Sequence, residues 1–251
     1  MSTPQTLARQ VPFRRLVWVE TRKLFDTRSG LVMTGILVAA AVALVVGRAA
    51  TVGPPRLFTL AGTAAVALGV LLPVLGIITV TGEWSHRTAL TTFALEPRRA
   101  RVLAAKCLPA LAAAVLGSLL AVLVAVPATA LSASVLHVEP TWEVAPRALA
   151  GWIVVMVLQT AQGLALGLLL LNAPAAIVVC LAGPMLWSFV AAAGDGGQAV
   201  AEWLDLNRTT GVLMSGELTG DGVARLVTSV LVWVVIPMAT GVARVVRSDL
   251  H

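Results

Sequence analysis

The sequence contains few charged residues. Asp, Glu, Lys and Arg make up 12% of its 251 residues, whereas a soluble domain carries about a quarter. Hydrophobic residues make up 58% of the chain, and its mean hydropathy is +0.92. Because too few polar side chains are present to cover a soluble surface, the composition excludes a soluble enzyme and a secreted disulfide scaffold.

The chain also lacks the residue patterns of catalytic and metal sites. Its two cysteines, Cys107 and Cys180, form no C-x-x-C motif, and we interpret them as buried hydrophobic residues. Three histidines are too scattered to form a ligand set, and the zinc-protease, serine-hydrolase and phosphate-loop motifs are missing. We therefore predict no catalytic residue, no metal site and no cofactor in this chain.

Long uncharged runs occupy much of the chain. They cover 26 residues from Leu57 to Gly82, 32 from Cys107 to Val138 and 47 from Ala148 to Gly194. A bilayer-spanning helix needs about 20 apolar residues, so the longest run has room for two spans. A membrane β-barrel would instead alternate polar and apolar residues. The pattern predicts an all-α integral membrane protein.

Glycine, proline and charge divide these runs into six predicted transmembrane helices. A tight turn at Asn172-Ala173-Pro174 separates the fourth from the fifth, and Gly194-Asp195-Gly196-Gly197 ends the fifth. Pro237 is predicted as a tolerated kink in the sixth. The predicted spans are 30–46, 57–80, 108–131, 149–171, 175–193 and 226–242.

Basic residues are distributed unequally between the two sides of these spans. Thirteen lie before the first span, between the second and third, or after the sixth, and five lie on the other side. The positive-inside rule therefore predicts that both termini are cytoplasmic. Because membrane orientation and lipid head groups account for the basic residues, the pI of about 10.9 does not indicate a nucleic-acid partner.

The predicted spans contain no ionisable residue, which argues against an ion-driven transporter or a voltage sensor. Gln159 and Gln162 share one face of the fourth span. They either line a substrate path or form hydrogen bonds between helices. Gly163 and Gly167 on the same helix form a close-packing motif, which serves either packing within the chain or a dimer.

An amphipathic helix is predicted before the first span, over residues 13–28. Its apolar face presents Phe13, Val17 and Leu24. The opposite face carries Arg15, Arg22 and Asp26. Glu20 lies on the apolar side and needs a partner, for which Lys23 is available at i+3. Simple membrane anchoring and docking of a partner both remain open for this helix.

The loop between the second and third spans is about 25 residues long, although three residues suffice for the turn at 172–174. It mixes charges of both signs with Trp84, Phe93 and Leu95. This mixture is typical of a protein-binding surface. Glu96-Pro97 predicts the start of the helix that leads into the third span.

Several of these motifs, in this order, resemble the membrane permease subunit of ABC-2-type (type V, exporter-like) ABC transporters. Glu20, Lys23 and Arg28 resemble an E-x-x-K-x-x-x-x-R motif before the first span. The inner loop resembles T-x-E-W-x-x-x-T followed by P-x-R and Lys, although Arg87 stands where the family pattern leads us to expect Gly. The last span resembles the family in Trp233, Pro237, Gly241, Arg244 and Arg247.

The resemblance implies roles for the cytoplasmic elements. Residues 13–28 would be the elbow helix, with Arg15, Trp18, Glu20 and Lys23 as its notable residues. Residues 83–96 would be the coupling loop, and residues 198–222 short outer re-entrant helices. The ATPase-coupling interface would comprise Glu83, Trp84, His86, Arg87, Thr88 and Phe93.

The resemblance also implies partners and a location. Separate ATPase subunits would bind ATP and Mg²⁺, and a second permease, identical or a sister chain, would complete the path in a bacterial plasma membrane. The expected function is export of an amphiphilic substrate, with a drug or antibiotic as first choice and a lipid, glycan or peptide as alternatives. A non-transporting membrane anchor or scaffold, and a membrane enzyme or secondary transporter, are the competing hypotheses.

Overall fold

The computed structural model describes residues 11–26, 28–51, 55–85, 98–216 and 219–247. These ranges are almost wholly helical and contain no β-strand, only an isolated bridge between Arg56 and Thr141. Six helices are long and apolar enough to cross a membrane. The prediction of a helical, multi-pass membrane protein is therefore confirmed.

The six long helices agree with the predicted spans in number and order. The first six are α1 (Phe13–Asp26), α2 (Arg28–Thr51), α3 (Leu57–Ser85), α4 (Arg99–Leu136), α5 (Pro146–Leu170) and α6 (Ala173–Ala192). Three short helices follow, α7 (Asp195–Leu204), α8 (Leu206–Thr209) and α9 (Gly211–Ser215). The last span, Gly220–Arg247, comprises α10 (Gly220–Val230), a π-helical turn (Leu231–Val235) and α11 (Ile236–Arg247).

The helices extend beyond several of the predicted span boundaries, among them those of α3, α4 and the last span. Helix α3 continues past residue 80 to Ser85, so Glu83 and Trp84 lie in its last turn rather than in a loop. The last span is longer than 226–242 and contains a π-helical turn just before Pro237. Proline has no N–H to donate, so a local change of hydrogen-bond register before it is expected.

Helix α3 lies at the centre of the bundle and packs against α2, α4, α5 and α6. The small residues of α5 allow its close approach to α3. A Cβ on Gly163 would collide with the carbonyl group of Pro73, and one on Gly167 would lie 2.6 Å from the Val80 side chain. Gly163 and Gly167 therefore serve packing within the chain, which is the first of the two interpretations of this motif.

A tight turn separates α5 from α6 as predicted, but it lies at Leu171 and Asn172, because Ala173 and Pro174 already belong to α6. Leu171 ends α5 with a positive φ of 50°, and Asn172 caps α6 by accepting a hydrogen bond from the Ala175 N–H at 3.0 Å. The next connection is longer, and its helices pack on the bundle. Gly151 of α5 leaves room for the backbone of Leu213, a residue of α9.

Candidate functional site

Four charged side chains from three helices meet at one end of the bundle. Glu20 and Lys23 lie on α1, Glu83 lies in the last turn of α3, and Lys106 lies about two turns into α4. We call these four residues the charge cluster. They bring together helix α1 and the helices on either side of the inner loop, residues 86–97.

The cluster is a closed ring of alternating charge. Lys106 Nζ lies 2.8 Å from Glu20 Oε2 and 2.8 Å from Glu83 Oε1. Lys23 Nζ lies 2.7 Å from Glu20 Oε1 and 3.4 Å from Glu83 Oε1. Each ammonium group therefore contacts both carboxylates, and the four formal charges sum to zero.

Burial makes this pairing necessary. Lys106 is 1% exposed, Glu20 6% and Glu83 7%, and an unpaired charge at such positions would be strongly unfavourable. Lys23 is more accessible. Its partial burial lowers the pKa of its ammonium group, but the hydrogen bonds and charges of Glu20 and Glu83 outweigh burial and raise that pKa above its usual range.

Two arginines in the first turn of α4, near the charge cluster, donate hydrogen bonds to backbone carbonyls of the N-terminal and C-terminal parts of the described chain. Arg99 Nη1 donates to the carbonyl of Val245 in α11 at 2.8 Å. Arg101 Nη2 donates to the carbonyl of Val11, just before α1, at 3.1 Å. The first turn of α4 therefore forms hydrogen bonds with the residue stretch before α1 and with α11.

The residues predicted for the coupling interface divide into two groups. Glu83 is buried in the charge cluster, and Trp84 is partly buried against the apolar cluster that contains Val80, Val102 and Val245. His86, Arg87, Thr88 and Phe93 lie outside the described residues. The structure brings Glu83 together with Glu20 and Lys23 of the predicted elbow helix.

The surface of α1 bears the remaining predicted residues of that helix. Arg15 is exposed, and Trp18 is 63% exposed. The predicted pairing of Glu20 with Lys23 is confirmed. Lys106 is the Lys of the inner-loop motif, but its place in the cluster was not predicted, because its partners lie 86 and 23 positions away in the chain. A lone lysine close before a long apolar run is the signal that could have drawn attention to it.

A second buried polar region lies near the middle of the bundle. It is a cavity of about 110 Å³, which we call the polar cavity. The predicted pair Gln159 and Gln162 lines it, so the structure brings both residues to one site. Its other polar and aromatic walls are Trp187, Asp205, Asn207 and Trp233.

Hydrogen bonds connect helix α8 to α5 and α10 near the polar cavity. Gln159 Nε2 donates to Asn207 Oδ1 at 3.0 Å. Thr209 and Ser229 share a buried hydroxyl hydrogen bond of 2.6 Å. Gln159 lies near the middle of the 25-residue helix α5, about 20 Å along its axis from Pro146 at 1.5 Å per residue. Helix α8 therefore packs beside the middle of a spanning helix.

Two tryptophans close one side of the polar cavity. The rings of Trp187 and Trp233 pack edge to face, with their centroids 6.3 Å apart. The Trp233 indole N–H donates to the carbonyl of Leu204 at 2.7 Å. One polar atom of a residue that lines the polar cavity lacks such a hydrogen bond. Gln159 Oε1 is buried and has no hydrogen-bond partner among the described residues.

Metal binding finds no support within the described ranges, where no group of three His, Cys, Asp or Glu residues could hold an ion. Comparison with known proteins adds no assignment. No protein-family model matches the chain, and no curated protein matches it. The functional conclusion therefore rests on the chain's own residues.

Proposed function

From the resemblance of the sequence motifs, together with the spans and the charge cluster, we propose that this chain is the membrane permease subunit of an ATP-driven exporter of the ABC-2 type. The observation that carries the proposal is the charge cluster. It connects α1 with the last turn of α3 and the beginning of α4, the two helices that flank the inner loop. A force applied to that loop would therefore reach three helices through short, buried contacts.

In this proposal the inner loop docks on a separate ATPase subunit. His86, Arg87, Thr88 and Phe93 provide its contact surface, and α1 is the elbow helix beside it. ATP binding draws two ATPase subunits together, and their motion displaces the loops of two permeases. Phosphoryl chemistry takes place wholly on the partner, where ATP and Mg²⁺ bind.

The charge distribution supports a cytoplasmic location for this end of the bundle. Most of the basic residues flank the spans on the side of α1 and the inner loop. We place both termini in the cytoplasm and the chain in a bacterial plasma membrane. Helices α7 to α9 begin on the opposite side and reach the middle of α5, which supports their assignment as outer re-entrant helices.

We propose that the cargo is an amphiphilic molecule and that two permeases, identical or sister chains, form its path. The membrane core offers mainly apolar surface with a few polar groups at the polar cavity, which fits a drug-like or antibiotic substrate better than a highly charged one. Lipids, glycans and peptides are the other candidate cargoes.

Purification from native membranes tests the proposal. A tagged full-length chain should bring down an ATP-binding subunit near 1:1, and the complex should hydrolyse ATP. Arg87→Glu should reduce this hydrolysis several-fold by altering the loop's contact with the ATPase. Arg147→Glu is the matched control, because it makes the same charge change in the first turn of α5, at the opposite end of the bundle.

The alternatives give different results. Recovery of a stoichiometric partner that binds no ATP would support the anchor or scaffold function and contradict the transporter. Recovery of the chain alone would also contradict the proposed pairing. Equal ATP hydrolysis by the Arg87→Glu and Arg147→Glu complexes would contradict the assignment of the inner loop as the coupling element.

A further inference from the structure

The polar cavity has a composition that selects the chemistry of a ligand. Among the described residues that line it, Asp205 alone carries a formal charge. Gln159 Oε1 adds a buried acceptor without a partner. The cavity is therefore rich in hydrogen-bond acceptors, one of them a carboxylate, while the surrounding helices are apolar.

Asp205 is held in place without being fully neutralised. The residue is 6% exposed, and its Oδ1 accepts the backbone N–H of Asn207 at 3.0 Å. Its Oδ2 lies 3.7 Å from Arg208 Nε, which is beyond the usual length of a direct hydrogen bond. One carboxylate oxygen therefore keeps hydrogen-bonding capacity.

The aromatic walls add a second preference. The Trp187 and Trp233 rings border the same cavity, and tryptophan rings attract cations at short range. The cavity also borders Val179 and Leu181 of α6, which are 42% and 43% exposed on the outer surface of the bundle. An apolar body could lie along this side of α6 while a polar head enters the cavity.

We propose that the polar cavity binds the protonated amine of a cationic amphiphile. The ammonium group donates to Asp205 and to Gln159 Oε1 and packs against the tryptophan rings, and the apolar part lies along α6. The volume of about 110 Å³ suits a head group with a few carbon atoms rather than a whole drug, since a 150 Å³ cavity holds about one benzene. The inference rests on the proposed function only in identifying this ligand with the exported substrate.

The test uses the purified full-length chain in nanodiscs, without any ATPase. Benzylamine is the probe and benzyl alcohol is its uncharged counterpart of similar shape. The readout is the tryptophan fluorescence change of the chain, minus the change in a Trp187→Phe/Trp233→Phe variant. Benzylamine should give a saturable change at a concentration at least tenfold lower than benzyl alcohol requires.

Two variants test the site itself. Asp205→Asn removes the charge but keeps a side chain that can cap α8, and it should weaken benzylamine binding at least tenfold. Gly69→Ala should also weaken it, because a Cβ there would lie 3.0 Å from Gln159 Oε1. Glu202→Gln is the matched control. It removes an acidic side chain of α7 that pairs with Arg225 outside the cavity lining, and it should bind like the wild type.

Equal affinity for benzylamine and benzyl alcohol would overturn the proposal, since the cavity would then hold water or any small apolar group. Wild-type binding by both Asp205→Asn and Gly69→Ala would overturn it as well. Because no ATPase is present, such a failure leaves the coupling proposal standing, and loss of ATPase pairing leaves the binding result standing.

Discussion

The protein buries polar side chains in two regions that are built differently. In the charge cluster, Lys106 and Lys23 each contact both carboxylates at 2.7 to 3.4 Å. In the polar cavity, Gln159 gives one hydrogen bond to Asn207 and leaves Oε1 without a partner among the described residues. Opposite charges paired across three helices fix one arrangement of those helices, whereas a neutral amide acceptor without a partner among the described residues leaves capacity for a ligand. Buried polar side chains therefore connect helices in the charge cluster, whereas in the polar cavity we propose that they bind a ligand.

The largest loss of stability should come from breaking the charge cluster. Lys106→Met leaves two buried carboxylates with only the partly exposed Lys23, so we expect the free energy of unfolding to fall by about 3–5 kcal/mol. Arg22→Met is the matched control, because it breaks the exposed ion pair with Asp26 and should cost about 1 kcal/mol or less. Thermal unfolding of both variants in the same detergent measures the difference.

A second variant distinguishes loss of pairing from loss of packing. In Glu83→Gln/Lys106→Met one carboxylate is neutralised along with the ammonium, so the double variant should recover part of the stability lost in Lys106→Met. If Lys106→Met unfolds at the same temperature as Arg22→Met, the charge cluster is not a stabilising connection between the helices.

An intermediate loss of stability is expected from a substitution at the close contact between α3 and α5. Gly163→Ala places a Cβ against the Pro73 carbonyl and should reduce stability by about 1–3 kcal/mol. Gly62→Ala is the control, because a Cβ on Gly62 has no heavy atom within 4 Å. Equal unfolding temperatures for the two variants would contradict the close contact between α3 and α5.

The polar cavity should tolerate substitution better than the cluster. Gln159→Leu removes the hydrogen bond to Asn207 and also the buried acceptor that lacks a partner, so the two effects partly cancel. We expect a change of about 1 kcal/mol or less, measured by thermal unfolding beside Lys106→Met. A loss as large as that of Lys106→Met would mean that Gln159 is a structural residue and that the two regions do not differ in kind.

The smallest effect concerns the accessible member of the cluster. The pKa of Lys23 is raised in the folded state from the ordinary 10.5, so protonation of Lys23 favours folding. Its contribution is present in full below the unfolded pKa and is lost as the pH rises through the folded pKa. The unfolding temperatures of the wild type and Lys23→Gln should differ by a constant amount between about pH 6 and pH 9 and converge above about 10.5. A gap that widens at alkaline pH would contradict the direction of this shift.

Local patterns in the sequence predict the spans but not the way in which the buried polar groups are paired. The apolar runs, a tight turn beside Asn172 and the Glu20–Lys23 pair follow from neighbouring residues, and the structure confirms them. Lys106 and Glu20 lie 86 positions apart, and Gln159 and Asn207 lie 48 apart. No helical period relates such pairs, because they meet only after the helices have packed.

The most direct test of the central claim is site-specific crosslinking from the inner loop in native membranes. A photo-crosslinking residue at Arg87 should capture an ATP-binding subunit, and the same residue at Arg147, in the first turn of α5, should not. This result would support the charge cluster as the connection between an ATPase and the membrane helices. Capture of a protein that binds no ATP at position 87, or capture of the same ATPase from both positions, would contradict the account.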